Sequence, residues 1–202
     1  MSTATFVTEQ EPLVLHFQPI MKKLSDEEFY EFCRANDHWR IERTAEGDVI
    51  IMPPTGGKTG IRNFKLIGQF FAWIEADQTG EGFDSSTIFA LPNGAQRSPD
   101  LAWVSNKRWQ ALTEEQQETF PPLCPDFVVE LRSRTDRLKR LEAKMQEYID
   151  NGAELGWLID PVERRVHIYR RGASAEILDN PQTVSGAPLL SGFTLDMQTL
   201  WD

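Results

Sequence analysis

Two carboxylates and an amine stand in places where an apolar framework has little use for charge. Asp100 closes a Ser98-Pro99-Asp100 turn into the run Leu101-Ala102-Trp103-Val104, and Glu130 sits inside Phe127-Val128-Val129-Glu130-Leu131. Lys144 follows on the next helical stretch. An ionised carboxylate in the middle of a buried strand costs on the order of several kcal/mol unless it is paired or holds a metal. Hard divalent ions, Mg2+ first and Mn2+ second, favour such oxygen pairs and keep waters for a substrate. With an amine nearby, the set suits phosphodiester hydrolysis. The metal would activate the nucleophile, and Lys144 would orient or deprotonate the water or neutralise charge on the phosphate. The structural alternatives are a Glu130–arginine pair, an Asp100 that caps a turn, and a flank lysine that snorkels to solvent.

The elements that must position these groups are legible in the hydrophobic spacing. Side chains alternate along a strand, so Glu130 and Arg132 share one face of the second run. Its near-continuous apolar character indicates a central strand buried on both sides. A helix over 136–151 carries Leu138, Leu141, Met145, Tyr148 and Ile149 as one stripe and ends at Asn151-Gly152. Lys144 lies about 80° from the middle of that stripe, within reach of the sheet edge.

Upstream, Ser25-Asp26-Glu27-Glu28 forms a capping box that starts a helix to about Asn36. Residues 39–44 and 48–52 make a hairpin around Gly47. Ile61, Phe64, Ile67, Phe70, Phe71 and Ile74 predict a helix over 59–76 whose aromatics belong to the core. A strand over 83–91, a Pro92-Asn93-Gly94 turn and a helix over 106–117 follow, with strands at 155–159 and 166–169 further on. This order implies an α/β fold, a mixed sheet flanked by helices. We expect an N-terminal arm over 1–20 and a single domain over 21–202.

Composition narrows the function. No stretch approaches the roughly 18 apolar residues of a spanning helix, and the N-terminus lacks an export signal, so a cytoplasmic protein is expected. Cys33 and Cys124 are too few for a disulfide scaffold and lack zinc-site spacing, which makes them buried thiols. With 31 acidic against 21 basic residues the net charge is −10. Contact with nucleic acid must therefore be local. Residues 132–144 supply six cations against two anions, with Arg132, Arg134 and Arg137 as candidate phosphate contacts. A solvated helix face is the plain alternative.

Ser98-Pro99-Asp100, the stretch Pro125 to Leu131, Lys144-Met145-Gln146-Glu147-Tyr148 and the stretch Gly152 to Pro161 together resemble the Uma family of restriction-endonuclease-like proteins, within the PD-(D/E)xK nuclease superfamily. The likeness runs from about Leu24 to Gly172. It implies a Mg2+-dependent endonuclease acting on DNA, working as a homodimer, with Asp100 and Glu130 as metal-binding acids. It also implies that Lys144 is the superfamily lysine moved from the strand to the following helix, since Arg132 occupies the usual strand position. Glu42 matches an acid that many members carry and would complete the site. Many relatives have a histidine where this chain has Lys58, Thr59 and Gly60.

Other chemistries fail on spacing. Gly57-Lys58-Thr59 resembles the tail of a phosphate-binding loop, but position 52 is methionine where that loop needs glycine. His16, His38 and His167 are scattered, and no nucleophile motif accompanies them. Two rivals keep the fold: a catalytically silent binding or assembly module, favoured by net acidity and six tryptophans, and a nuclease acting on RNA or a nucleotide.

Overall fold

The computed structural model describes residues 11–16 and 23–201. Its centre is a six-stranded mixed sheet, and the middle of that sheet is the strand the sequence marks as buried on both sides. This strand, β8 (Phe127–Leu131), is buried at every residue. It runs antiparallel to β7 (Leu101–Ser105) and parallel to β9 (Leu155–Asp160). Beyond β7 lies β4 (Gly80–Asp84) at one edge, and beyond β9 lie β10 (Arg165–Arg170) and β11 (Glu176–Asp179) at the other.

A parallel pair needs a crossover, and α5 (Leu138–Asp150) supplies it between β8 and β9. Alternation then divides the core in two. Phe127, Val129 and Leu131 face α2 (Gly57–Asp77) and the C-terminal segment, where Trp157, Phe193, Leu195 and Trp201 pack. Val128, Leu158, Met145, Tyr148 and Ile149 form the opposite layer beneath α5.

A second sheet has the order β1 (Leu13–Leu15), β3 (Val49–Met52), β2 (Arg40–Arg43), β6 (Gln96–Arg97), β5 (Phe89–Ala90). The expected hairpin is its heart, with Ile41 opposite Ile51. Helix α1 (Asp26–Ala35) starts with the expected capping box, Ser25 and Glu28 each satisfying the other's backbone amide. The arm expected over 1–20 lies outside the described residues except for 11–16, of which 13–15 are strand β1. Residues 183–185 and 194–196 form a small hairpin, β12 and β13, followed by the short helix α6 (Gln198–Trp201).

Four expectations differ from the structure, the first being Cys33, which is only half-buried where Cys124 is buried. The strand expected over 83–91 is two strands in different sheets, β4 and β5, because the chain turns at Asp84, whose carboxylate accepts from the Ser86 amide at 3.0 Å. The helix expected over 106–117 is broken into α3 (Asn106–Trp109) and α4 (Glu114–Glu118), the latter restarted by a capping box at Thr113 and Gln116. Finally, the aromatics of α2 are not all core. Leu66 and Phe70 are buried, but Ile61, Phe64 and Phe71 are 56%, 79% and 59% exposed.

Candidate active site

Glu130 leaves β8 on the α5 side, where its neighbours are fixed by helical spacing. Lys144, Glu147 and Tyr148 fall at i, i+3 and i+4 on one face of α5. Lys144 Nζ lies 2.7 Å from Glu130 Oε1, and the Tyr148 hydroxyl donates to the same oxygen at 3.1 Å. Both acceptor contacts thus fall on one oxygen. Oε2 has no hydrogen-bond partner among the described residues, yet it is not sealed off, and Glu130 borders a cavity of about 540 Å³.

Asp100 repeats the arrangement. Its Oδ2 accepts from the Leu131 amide at 2.8 Å, tying the mouth of β7 to the end of β8. Oδ1 is left with only Arg40 Nη2, at 4.0 Å, and Asp100 borders the same cavity. Each acid therefore commits one oxygen to the protein and presents the other to a shared space.

Glu42 comes from the second sheet. Its Oε1 accepts from Lys144 Nζ at 2.7 Å and from the Ser98 amide at 3.1 Å, while Oε2 accepts from Arg97 at 3.2 Å. Arg97 in turn donates to Glu147 at 2.6 Å. The result is a buried chain of alternating charge, Glu130, Lys144, Glu42, Arg97, Glu147, that locks the second sheet onto α5.

These surroundings drive the carboxylates apart in acidity. Burial alone would raise Glu42, but Lys144, Arg97 and the Ser98 amide hold it down at about 2. Burial pushes Glu130 up to about 7 against the pull of Lys144, with Asp100 and Glu42 adding repulsion. Asp100 is also raised by burial, against the hydrogen bond from Leu131. Lys144 is raised because Glu130 and Glu42 outweigh its own desolvation, so it is an ammonium at neutral pH.

The donor set fits a divalent cation. Two accessible carboxylate oxygens of raised pKa, one from Asp100 and one from Glu130, share a cavity, and a cation there would relieve their repulsion. The lining holds seven acidic side chains against four arginines and Lys144, so a phosphodiester entering it gains from an added cation. Among the described residues no group of three His, Cys, Asp or Glu side chains forms a ligand cluster, so the remaining coordination would come from water or substrate.

The structure brings Asp100, Glu130, Lys144 and Glu42 to one cavity. Arg137 reaches its rim, where it pairs with Glu11 at 3.0 Å. Arg132 and Arg134 are not in the lining. Arg132 turns to Asp160 at 2.6 Å instead of joining Glu130, so the Glu130–arginine pair is not formed by that residue. Sequence reasoning missed Arg97, Tyr148 and Arg40, while Arg140 was among the six cations of 132–144. Tyr148 stood in the apolar stripe of α5, and its spacing of four from Lys144 was the available signal. Arg97, a charge immediately before Ser98-Pro99-Asp100, was another.

The Uma2 family, described as "Putative restriction endonuclease", matches residues 26–198. A crystal structure of a "putative nuclease belonging to DUF820" from Anabaena variabilis ATCC 29413 superposes with a TM-score of 0.73 at 21% identity, covering 88% of this chain and 97% of that one. That likeness shows a shared fold, a restriction-endonuclease-like mixed sheet flanked by helices. No curated protein matches the chain in sequence.

Proposed function

The chain belongs to the Uma2 family of restriction-endonuclease-like proteins, and on that premise we propose that it hydrolyses DNA phosphodiester bonds with Mg2+, or Mn2+ in its place. The observation that carries this reading is the pairing of Asp100 and Glu130, each with one oxygen anchored and one facing the cavity beside Lys144.

Asp100 and Glu130 would hold the ion through those free oxygens. When bound, it supplies Lewis-acid polarisation of the phosphate and lowers the pKa of water. Lys144 contributes as an ammonium, oriented by Glu130 and Glu42, that offsets charge building on the phosphate oxygens. Its protonation argues against a role as the base. Glu42 and Tyr148 position the amine and Glu130 through their hydrogen bonds. Arg137 and Arg140, at the rim, are the phosphate contacts in this reading; Arg132 and Arg134 stand outside it. Two copies of the chain would cut the two strands of a duplex, and the protein would work in the cytoplasm.

The test is cleavage of supercoiled and linear DNA by purified protein with Mg2+ or Mn2+ and with chelator. Cleavage that survives in Asp100→Ala or Glu130→Ala removes the assignment. The buried ion-pair chain from Glu130 to Glu147 also suits a silent binding or assembly module. Calorimetry distinguishes the two, because a silent module takes up neither ion.

A further inference from the structure

Helix α2 buries one apolar face and leaves a second one open. At about 100° per residue, Gly57, Gly60, Ile61, Phe64, Gly68, Phe71, Ala72 and Glu75 fall within a stripe about 120° wide and about 27 Å long. All of them are exposed, and Ile61, Phe64 and Phe71 are three of the seven large hydrophobic side chains left exposed among the described residues. An isolated apolar side chain at a surface needs no cause, but an aligned set on one element does.

The glycines strengthen the point. A methyl group added at Gly57, Gly60 or Gly68 would meet nothing within 4 Å. Glycine inside a helix is unfavourable relative to alanine, and here no contact within the chain requires it. A backbone approaching from outside would require it.

The stripe is also complementary to itself. In an antiparallel pairing centred on residue 66, Phe64 of one copy meets Gly68 of the other, and Ile61 meets Phe71. Lys58 at one end then lies beside Glu75 of the second copy, and neither residue has an ion-pair partner among the described residues. A two-fold axis repeats every such contact, which is how a closed dimer is built. A parallel pairing would instead set lysine against lysine.

We propose that α2 is a homodimer interface, packing antiparallel against α2 of a second copy with the Phe64 side chain over Gly68. This gives the homodimer suggested above a face, but it assumes nothing about chemistry in the cavity, so oligomeric state and nuclease activity fail or hold separately.

Sedimentation equilibrium of the full chain tests it. The wild type is expected at twice its 23.1 kDa mass in the micromolar range. Phe64→Glu, at an exposed site that should leave the circular dichroism unchanged, is expected to weaken association at least about tenfold. Gly68→Ala should weaken it while favouring the helix itself. Lys58→Glu should weaken it, and adding Glu75→Lys to the same chain should restore it. A monomeric wild type overturns the proposal, including the case in which residues 1–10 of the same chain cover the stripe. A dimer that survives Phe64→Glu, or a double charge swap that does not restore association, overturns it as well.

Discussion

Glu42 and Lys144 are 102 residues apart in sequence and 2.7 Å apart in space, one on the smaller sheet and the other on the helix beneath the larger. The contact gives the amine a second carboxylate beside Glu130, also at 2.7 Å. In Glu42→Gln the amide oxygen still accepts a hydrogen bond, but half of the negative charge holding Lys144 is gone. Cleavage should fall about 10–100-fold, mainly in kcat, with the fold retained. Steady-state kinetics on a DNA substrate check this, and Glu42→Asp should recover part of the loss.

Lys144→Met tests the same contact through stability. It leaves Glu42 to Arg97 and strips Glu130 of its cation. Breaking a buried ion pair by removing one partner costs about 3–5 kcal/mol. Glu130 can escape that cost by taking up a proton, so the loss should be larger at about pH 8 than at about pH 5.5. Urea midpoints at the two pH values measure the difference.

Wild-type stability should itself depend on pH through Glu130. Its pKa is raised from 4.5 to about 7 on folding, so between those values the folded chain holds a proton that the unfolded chain has lost. Stability must then fall as pH rises through this window, by an amount on the order of 3 kcal/mol if Glu130 acted alone. Glu42 acts in the opposite sense, because its pKa is lowered from 4.5 to about 2 and its contribution disappears as pH falls through that range. Thermal melts across pH should show the fall between 4.5 and 7, and Glu130→Gln should reduce it, leaving the part that the raised Asp100 contributes. Mg2+ bound at Asp100 and Glu130 should oppose it.

Gly80→Ala probes the sheet edge. A methyl group there would lie 2.4 Å from the Val104 carbonyl oxygen and 2.5 Å from the Trp103 ring, and backbone cannot yield cheaply. Destabilisation of about 1–3 kcal/mol is expected from the overpacking. Gly60→Ala, where a methyl group meets nothing within the chain, should not destabilise the folded monomer, and chemical denaturation of both variants at concentrations low enough to keep the chain monomeric supplies the comparison.

The central framework was readable because its signals are local or periodic. The capping box at Ser25, the uninterrupted apolar run of β8 and the stripe of α5 each need only a short window of sequence. The break between β4 and β5 was hidden, because a two-residue strand such as Phe89–Ala90 has no period to detect. Helix α2 misled for a different reason: hydrophobic spacing reports which positions are apolar but not whether a partner exists for both faces. In the site, Asp100, Glu130 and Lys144 were visible as charges in apolar surroundings. Arg97 was not, since its meaning depends on Glu42 and Glu147 arriving from elsewhere in the chain.

The ammonium's two carboxylate partners belong to different sheets, and this has a bearing on biosynthesis. Until translation has passed residue 144 and the smaller sheet has docked, the acids at 42, 100 and 130 have no common cation and no shared chamber. A partial chain is thus without an assembled centre. The shared chamber is thus a property of the whole chain and of no single segment of it.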